Sequence, residues 1–165
     1  PGTALGRPRG MPYTDLLAAN RIVQIVEPVA RDQVLDAAAR LLSGHAPDWT
    51  QAIADGLRAR EAVGSTGIGR GVAIPHCRSD ACIEPVAAFL RLATPVAFGA
   101  RDGQPVDLVF AMAIPDGHAQ RHLDILSELA GLFADDGFRE SVRAARDIMA
   151  LRNLLLHGAG AARPA

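Results

Sequence analysis

Apolar positions recur along this chain in two periods. Arg21-Ile22-Val23-Gln24-Ile25-Val26 reads as a strand that stops short of Pro28. From Asp32 to Ser43 the period changes: Val34, Ala38 and Leu41, beside Leu35 and Leu42, form the stripe of an amphipathic helix, and Gly44 is its stop. Asp48 followed three residues later by Gln51 predicts an N-capped helix running to about Arg60 or Glu61, with Trp49, Ile53 and Leu57 as its apolar stripe. Arg60 extends that stripe as a cation. Three strands are predicted next, Val86 to Leu92 between Pro85 and Pro95, then Val96 to Phe98, then Val106 to Ile114. The last is apolar almost throughout, as a strand buried on both faces would be, and Asp102-Gly103 marks the turn ahead of it. The remainder is helical. Asp116 or Gly117 is expected to cap a helix from His118 to Ala134, with Leu123, Leu126, Ala130 and Phe133 in one stripe and Ile125, Leu129 and Leu132 beside it. Asp135-Asp136-Gly137 should end it, before a short helix from Phe138 to Ala145 and a final one from Asp147 to His157. Near the start, Thr14 is expected to cap a short turn through Leu17 and Ala18.

This order predicts an α/β protein, a three-layer α/β/α sandwich around one mixed β-sheet, because helices from both ends of the chain can cover both faces. Residues 13–157 are expected to form one domain, with 1–12 a flexible lead-in and 158–165 a flexible tail. The chain's 165 residues, 49% apolar and 21% charged, suit one domain with a real core. A net charge of −1 gives no broad footprint for nucleic acid. The longest apolar run, Leu108 to Pro115, is far shorter than the ~18 residues of a membrane span, so no direct membrane insertion is expected. No secretory signal opens the chain, and Cys77 and Cys82 are too few for a disulfide scaffold, so a cytoplasmic location is expected. All 17 cations are arginine. Without lysine the chain cannot supply a Walker A loop, a pyridoxal Schiff base or a protein-kinase strand lysine.

Candidate chemistry concentrates in Gly64-Ser65-Thr66-Gly67-Ile68-Gly69-Arg70-Gly71-Val72-Ala73-Ile74-Pro75-His76. The glycines admit two readings. Gly64, Gly67, Gly69 and Gly71, with Ser65 and Thr66, can cradle a phosphate on backbone N–H groups. Alternatively they serve only a tight chain reversal. A dinucleotide loop is disfavoured, because a helix precedes the segment and Pro75 follows it, so no helix opens there. His76 ends the segment, and an imidazole can act as a nucleophile near neutral pH. Arg60, close in sequence, could hold phosphoryl oxygens with its planar fork. His118 and His122 lie one helical turn apart; they are two solvated histidines, or one of them lies beside bound phosphate. A zinc site is not expected, since Ala119 follows His118 and Cys77 and Cys82 do not have zinc spacing. No metal and no cofactor are expected.

These residues resemble the enzyme IIA domain, type 2, of the phosphoenolpyruvate-dependent sugar phosphotransferase system, the fructose/mannitol class that includes a free-standing nitrogen-regulatory form. The likeness rests on Arg60-Glu61 with Gly64 to His76, then on Thr94-Pro95, Asp102-Gly103-Gln104-Pro105-Val106-Asp107-Leu108 and Pro115. It continues through His122-Leu123, Leu126 and Phe133-Ala134-Asp135, and covers about Leu17 to His157. The resemblance implies that His76 is phosphorylated by the histidine phosphocarrier protein, that Arg60 is the active-site arginine and that His122 is the second active-site histidine. His118 has no such match. The phosphoryl group would pass to a IIB component; alternatively, the phosphorylation state would control binding to a transporter or kinase. Cys77-Arg78-Ser79 departs from the family's usual small, basic, apolar sequence. In an extended segment, however, Cys77 should point away from His76.

Overall fold

Val106–Ile114 organises the fold, because a strand that is apolar on both sides must be covered on both sides. The computed structural model describes residues 13–161, with side chains over 13–157. In chain order the strands are β1 (Ile22–Ile25), β2 (Gly67–Gly69), β3 (Val72–Ala73), β4 (His76–Arg78), β5 (Val86–Val96) and β6 (Val106–Ile114). The helices are α1 (Arg31–Ser43), α2 (Pro47–Val63), α3 (Ala119–Phe133), α4 (Asp136–Ala144) and α5 (Ile148–Ala161). The sheet runs β1-β5-β6-β3-β2, and β4 also pairs with β6. β5 is antiparallel to β6, whereas β3 and β4 are parallel to it and β1 is parallel to β5. The sheet is therefore mixed.

Side chains of β6 divide by parity. Leu108, Phe110, Met112 and Ile114 enter one core with α3, α4 and α5, while Val109, Ala111 and Ala113 enter the other with α1 and α2. The first core is aromatic: Phe110, Phe133 and Phe138 stack edge to face in sequence, with centroids 6.3 and 5.3 Å apart. The second is built from small residues, Ala73, Ala88, Ala111 and Ala113 from the sheet against Ala38, Ala39 and Ala54 from the helices. Small side chains let α1 and α2 lie close to the sheet, which places the end of α2 near β4. The expected three-layer α/β/α sandwich is the observed architecture. Among the described residues no helix is long and apolar enough to cross a membrane.

Several boundaries differ from expectation, each for a local reason. Arg21 belongs to a 3-10 turn, Ala19–Arg21, and another such turn spans Tyr13–Asp15, so no single turn capped by Thr14 runs through Leu17 and Ala18. Asp48 does not cap α2: Pro47 takes the first helical position, where its missing N–H costs nothing, and Asp48 lies within the first turn. Gln51 then bonds Asp55 instead of closing a capping box. Trp49 is 47% exposed, so the buried line of α2 is Ile53, Leu57 and Glu61. Val96 is the end of β5 and not the start of a separate strand; Pro95 sits inside β5 where the pairing register shifts, as a residue without an N–H must.

α3 begins at Ala119, and His118, not Asp116 or Gly117, stands at its cap position. Its buried line is Ile125, Leu129 and Phe133, while Leu123 is 61% exposed. Asp135 caps α4 by accepting the Phe138 N–H at 3.1 Å, so that helix starts at Asp136. α5 continues to Ala161, past the expected start of the tail. The rest of the tail and the lead-in, residues 162–165 and 1–12, lie outside the described residues.

Candidate functional site

The site is built on the line β3–Ile74–Pro75–β4, which runs along β6. Val72 and Ala73 pair with Leu108 and Val109; His76, Cys77 and Arg78 pair with Met112, Ala113 and Ile114. Pro75 interrupts the strand because it has no N–H for the ladder. Its carbonyl still accepts the Met112 N–H at 3.0 Å, and the Ile74 N–H donates to the Thr66 carbonyl at 3.0 Å. Ile74 and Pro75 are thereby anchored on both sides. The Ile74 carbonyl accepts a hydrogen bond from Nδ1 of His76 at 2.7 Å. A carbonyl only accepts, so the proton lies on Nδ1 and the lone pair of the neutral ring lies on Nε2.

His76 is half-buried, and its pKa is lowered. Burial is the main cause; the Ile74 carbonyl opposes it, Arg60 adds to it and Glu61 opposes it. The ring is therefore held in its neutral, nucleophilic form. The His122 ring lies 5.0 Å away, centroid to centroid, at 71°. Its pKa falls to about 4, through burial first and then through the charges of His76, Arg78 and Arg60. Nε2 of His122 is buried without a hydrogen-bond partner among the described residues. Arg60, in the last turn of α2, donates from Nη1 to the Gly64 carbonyl at 2.7 Å and acts electrostatically on both imidazoles. The fold thus brings together His76, His122 and Arg60 from β4, α3 and α2.

His118 stands at the cap position of α3 without a side-chain capping bond, and its Nδ1 is also buried and unpartnered among the described residues. No group of three or more His, Cys, Asp or Glu side chains able to hold a metal ion occurs among the described residues.

The glycine segment is a hairpin, β2 to β3, whose tip Gly69-Arg70-Gly71 has φ of +98°, +58° and +82°. A side chain at Gly71 would collide with the Arg143 guanidinium, which is bound to Asp107 at 2.8 Å. Of the N–H groups expected to receive phosphate, those of Gly64, Thr66 and Gly67 are bonded inside the protein, Gly64's to the Glu61 carbonyl. Thr66 gives its N–H and hydroxyl to Glu61, Gly67 gives its N–H to Oγ of Ser65, and Arg70 gives its N–H to Asp102. Ser65 in turn donates to the Phe98 carbonyl. The chain-reversal reading therefore accounts for Gly69 and Gly71, and the hairpin tip is secured by Asp102, Asp107 and Arg143. Gly64 contacts the site through its carbonyl and Arg60.

Sequence reasoning assigned no part in the site to Glu61 or Arg78. Glu61 is only 6% exposed and follows Leu57 by four residues, so an acid on the buried line of a helix was the available signal. Arg78 lies two residues beyond His76 on a strand and shares its face. Cys77 points to the other face, against Gly56 of α2, and burial pushes its thiol up to about 12. It is a packing residue.

The sequence model of the family described as "Phosphoenolpyruvate-dependent sugar phosphotransferase system, EIIA 2" matches residues 15–158. A nitrogen regulatory protein of Pseudomonas aeruginosa is 37% identical over 142 residues, which is 86% of this chain and 92% of that protein. The crystal structure of nitrogen regulatory protein IIA-Ntr from Neisseria meningitidis superposes with a TM-score of 0.79 at 35% identity, over 87% of this chain and 98% of that one. The IIA mannitol protein of Escherichia coli, solved in complex with phosphorylated IIB mannitol, shares the fold with a TM-score of 0.69 at 19% identity, over 86% of this chain and 99% of that one.

Proposed function

The chain belongs to the EIIA type 2 family of the phosphoenolpyruvate-dependent sugar phosphotransferase system, and from that premise we propose that Nε2 of His76 is its phosphoryl carrier. The donor is the phosphorylated histidine phosphocarrier protein. The lone pair of Nε2 attacks phosphorus, the Nε2–P bond forms, and the donor's N–P bond breaks, returning its imidazole with the electron pair. Such transfers pass through a loose, in-line transition state whose charge spreads over three oxygens. Stabilising that charge is the task of Arg60 and His122. Arg60 offers a fork of N–H donors once its bond to Gly64 is exchanged for the phosphoryl group. His122 stays neutral, and its unpartnered Nε2 can supply one uncharged donor.

The observation that carries this reading is the Nδ1 hydrogen bond to Ile74, which leaves Nε2 bare on a ring that lies beside His122. The test is phosphorylation by phosphoenolpyruvate, enzyme I and the phosphocarrier protein. The wild-type chain gains an acid-labile phosphate and His76→Ala gains none. A variant that labels at the wild-type rate removes His76 from the mechanism.

Two destinations for the phosphoryl group remain distinct. In one it passes to a IIB component, as the mannitol complex suggests by its composition. In the other, phosphorylation adds charge beside a docking face and controls a transporter or kinase. The second is favoured by the likeness to nitrogen regulatory proteins over nearly their whole length. Transfer of labelled phosphate to a IIB protein supports the first; capture of a partner by only one phosphorylation state supports the second.

A further inference from the structure

We propose that Glu61 is a positioning residue for His76: its buried carboxylate is the fixed end of a hydrogen-bond chain, through Thr66 and Ile74, that decides which ring nitrogen is left bare. This rests on the reading of Nε2 as the nucleophile.

Glu61 sits on the last turn of α2, 6% exposed, on the line that begins with Ile53 and Leu57. Oε2 accepts the Thr66 N–H at 2.8 Å and Oε1 accepts the Thr66 hydroxyl at 2.7 Å. A carboxylate this deep requires such donors, and two of them from one residue fix that residue against the helix. Thr66 then presents its carbonyl to the Ile74 N–H. One residue on, Pro75 has a restricted φ, and its carbonyl is tied to Met112 of β6. The Ile74 carbonyl lies between these two anchors, so its direction is set, and it takes the Nδ1 proton of His76.

The first link is two hydrogen bonds and the others are one each, and they join α2 to β4 without touching the reacting atoms. The carboxylate has a second effect. A ring phosphorylated on Nε2 while protonated on Nδ1 carries positive charge, and Glu61 favours that charge where Arg60 opposes it.

The experiment uses the full chain labelled with 15N, and reads the His76 tautomer from two-bond 1H–15N correlations at neutral pH beside the rate of phosphorylation. In the wild type the proton is expected on Nδ1. Glu61→Leu keeps about the size of the side chain but has no acceptor, so both Thr66 donors are left without a partner; a glutamine would not serve, because its amide can accept the Thr66 N–H and donate to the Thr66 hydroxyl. The expected result is a folded chain whose His76 becomes a mixture of tautomers and labels ~10-fold more slowly or worse. Thr66→Val should shift the tautomer in the same direction from the other end of the link, and Thr66→Ser, which returns the hydroxyl, should restore it. A folded Glu61→Leu chain with the wild-type tautomer overturns the proposal, even if labelling slows. If Glu61→Leu does not fold, the Thr66→Val and Thr66→Ser pair decides by the same readout. A wild-type ring protonated on Nε2 also overturns it. A wild-type chain that never labels would defeat the carrier reading and leave the tautomer result standing.

Discussion

His76 and His122 are the same side chain with ring centroids 5.0 Å apart, yet their surroundings hold them differently. His76 sits on a strand tied to β6, with one nitrogen held by the carbonyl two residues before it. His122 rides on α3, three residues ahead of the buried line Ile125, Leu129 and Phe133, and its Nε2 is held by nothing among the described residues. Burial lowers the proton affinity of both, and the charges of Arg60, Arg78 and His76 take His122 down to about 4. An imidazole becomes a nucleophile when its other nitrogen is anchored, and a neutral helper when nearby cations keep it from taking a second proton. Residue type alone distinguishes neither role.

The sharpest way to break this asymmetry is to remove His76. In His76→Ala, labelling should fall at least ~1,000-fold, and His122 should not become labelled in its place, because its low proton affinity makes it the weaker nucleophile. Phosphate recovered on the His122 peptide would show that the two rings are interchangeable. Next in size is Arg60→Ala, which takes a positive charge from both rings. Its single-turnover labelling rate should drop ~100-fold or more. The pKa of both histidines, followed by NMR, should rise, since the Arg60 charge lowers each.

A smaller loss, ~10- to 100-fold in rate, is expected for His122→Ala, with part of it recovered in His122→Gln, whose amide also donates. Equal rates for the two variants would mean that the donor at this position does not matter. The smallest effect concerns stability. His122 binds a proton less readily when folded, so between its ordinary 6.5 and about 4 the unfolded chain holds more protons and stability falls as the pH falls. Partial exposure to solvent reduces the loss to the order of 1 kcal/mol. Denaturant titrations of His122→Gln across that range should show a shallower acid slope.

Much of this was legible along the chain. The burial of β6 on both faces, the exchange of strand period for helix period and the stop at Gly44 are local patterns, and local patterns survive folding. The turn of Cys77 away from His76, into the core under α2, followed from strand alternation alone. Other features were not legible in the same way. In α3 two apolar stripes compete, and only packing against the sheet chose Ile125, Leu129 and Phe133 over Leu123 and Ala130. The glycine segment offered donors suited to phosphate, but those of Gly64, Thr66 and Gly67 bond to Glu61 and Ser65 instead. Spacing reveals which groups could bind an anion and not whether the protein has already bonded them.

Periodicity and residue chemistry by themselves determined a three-layer α/β/α chain and singled out one imidazole, with an arginine close to it in sequence, as the candidate for chemistry. Which nitrogen of that imidazole is bare, how close the ring of His122 lies to it and what the glycine hairpin does were decided only by the tertiary structure. Those answers depend on hydrogen bonds between His76 and Ile74, Ile74 and Thr66, and Pro75 and Met112, and on the seating of α3 against the sheet. Such bonds form only after strands and helices distant in sequence have met, so no local pattern encodes them.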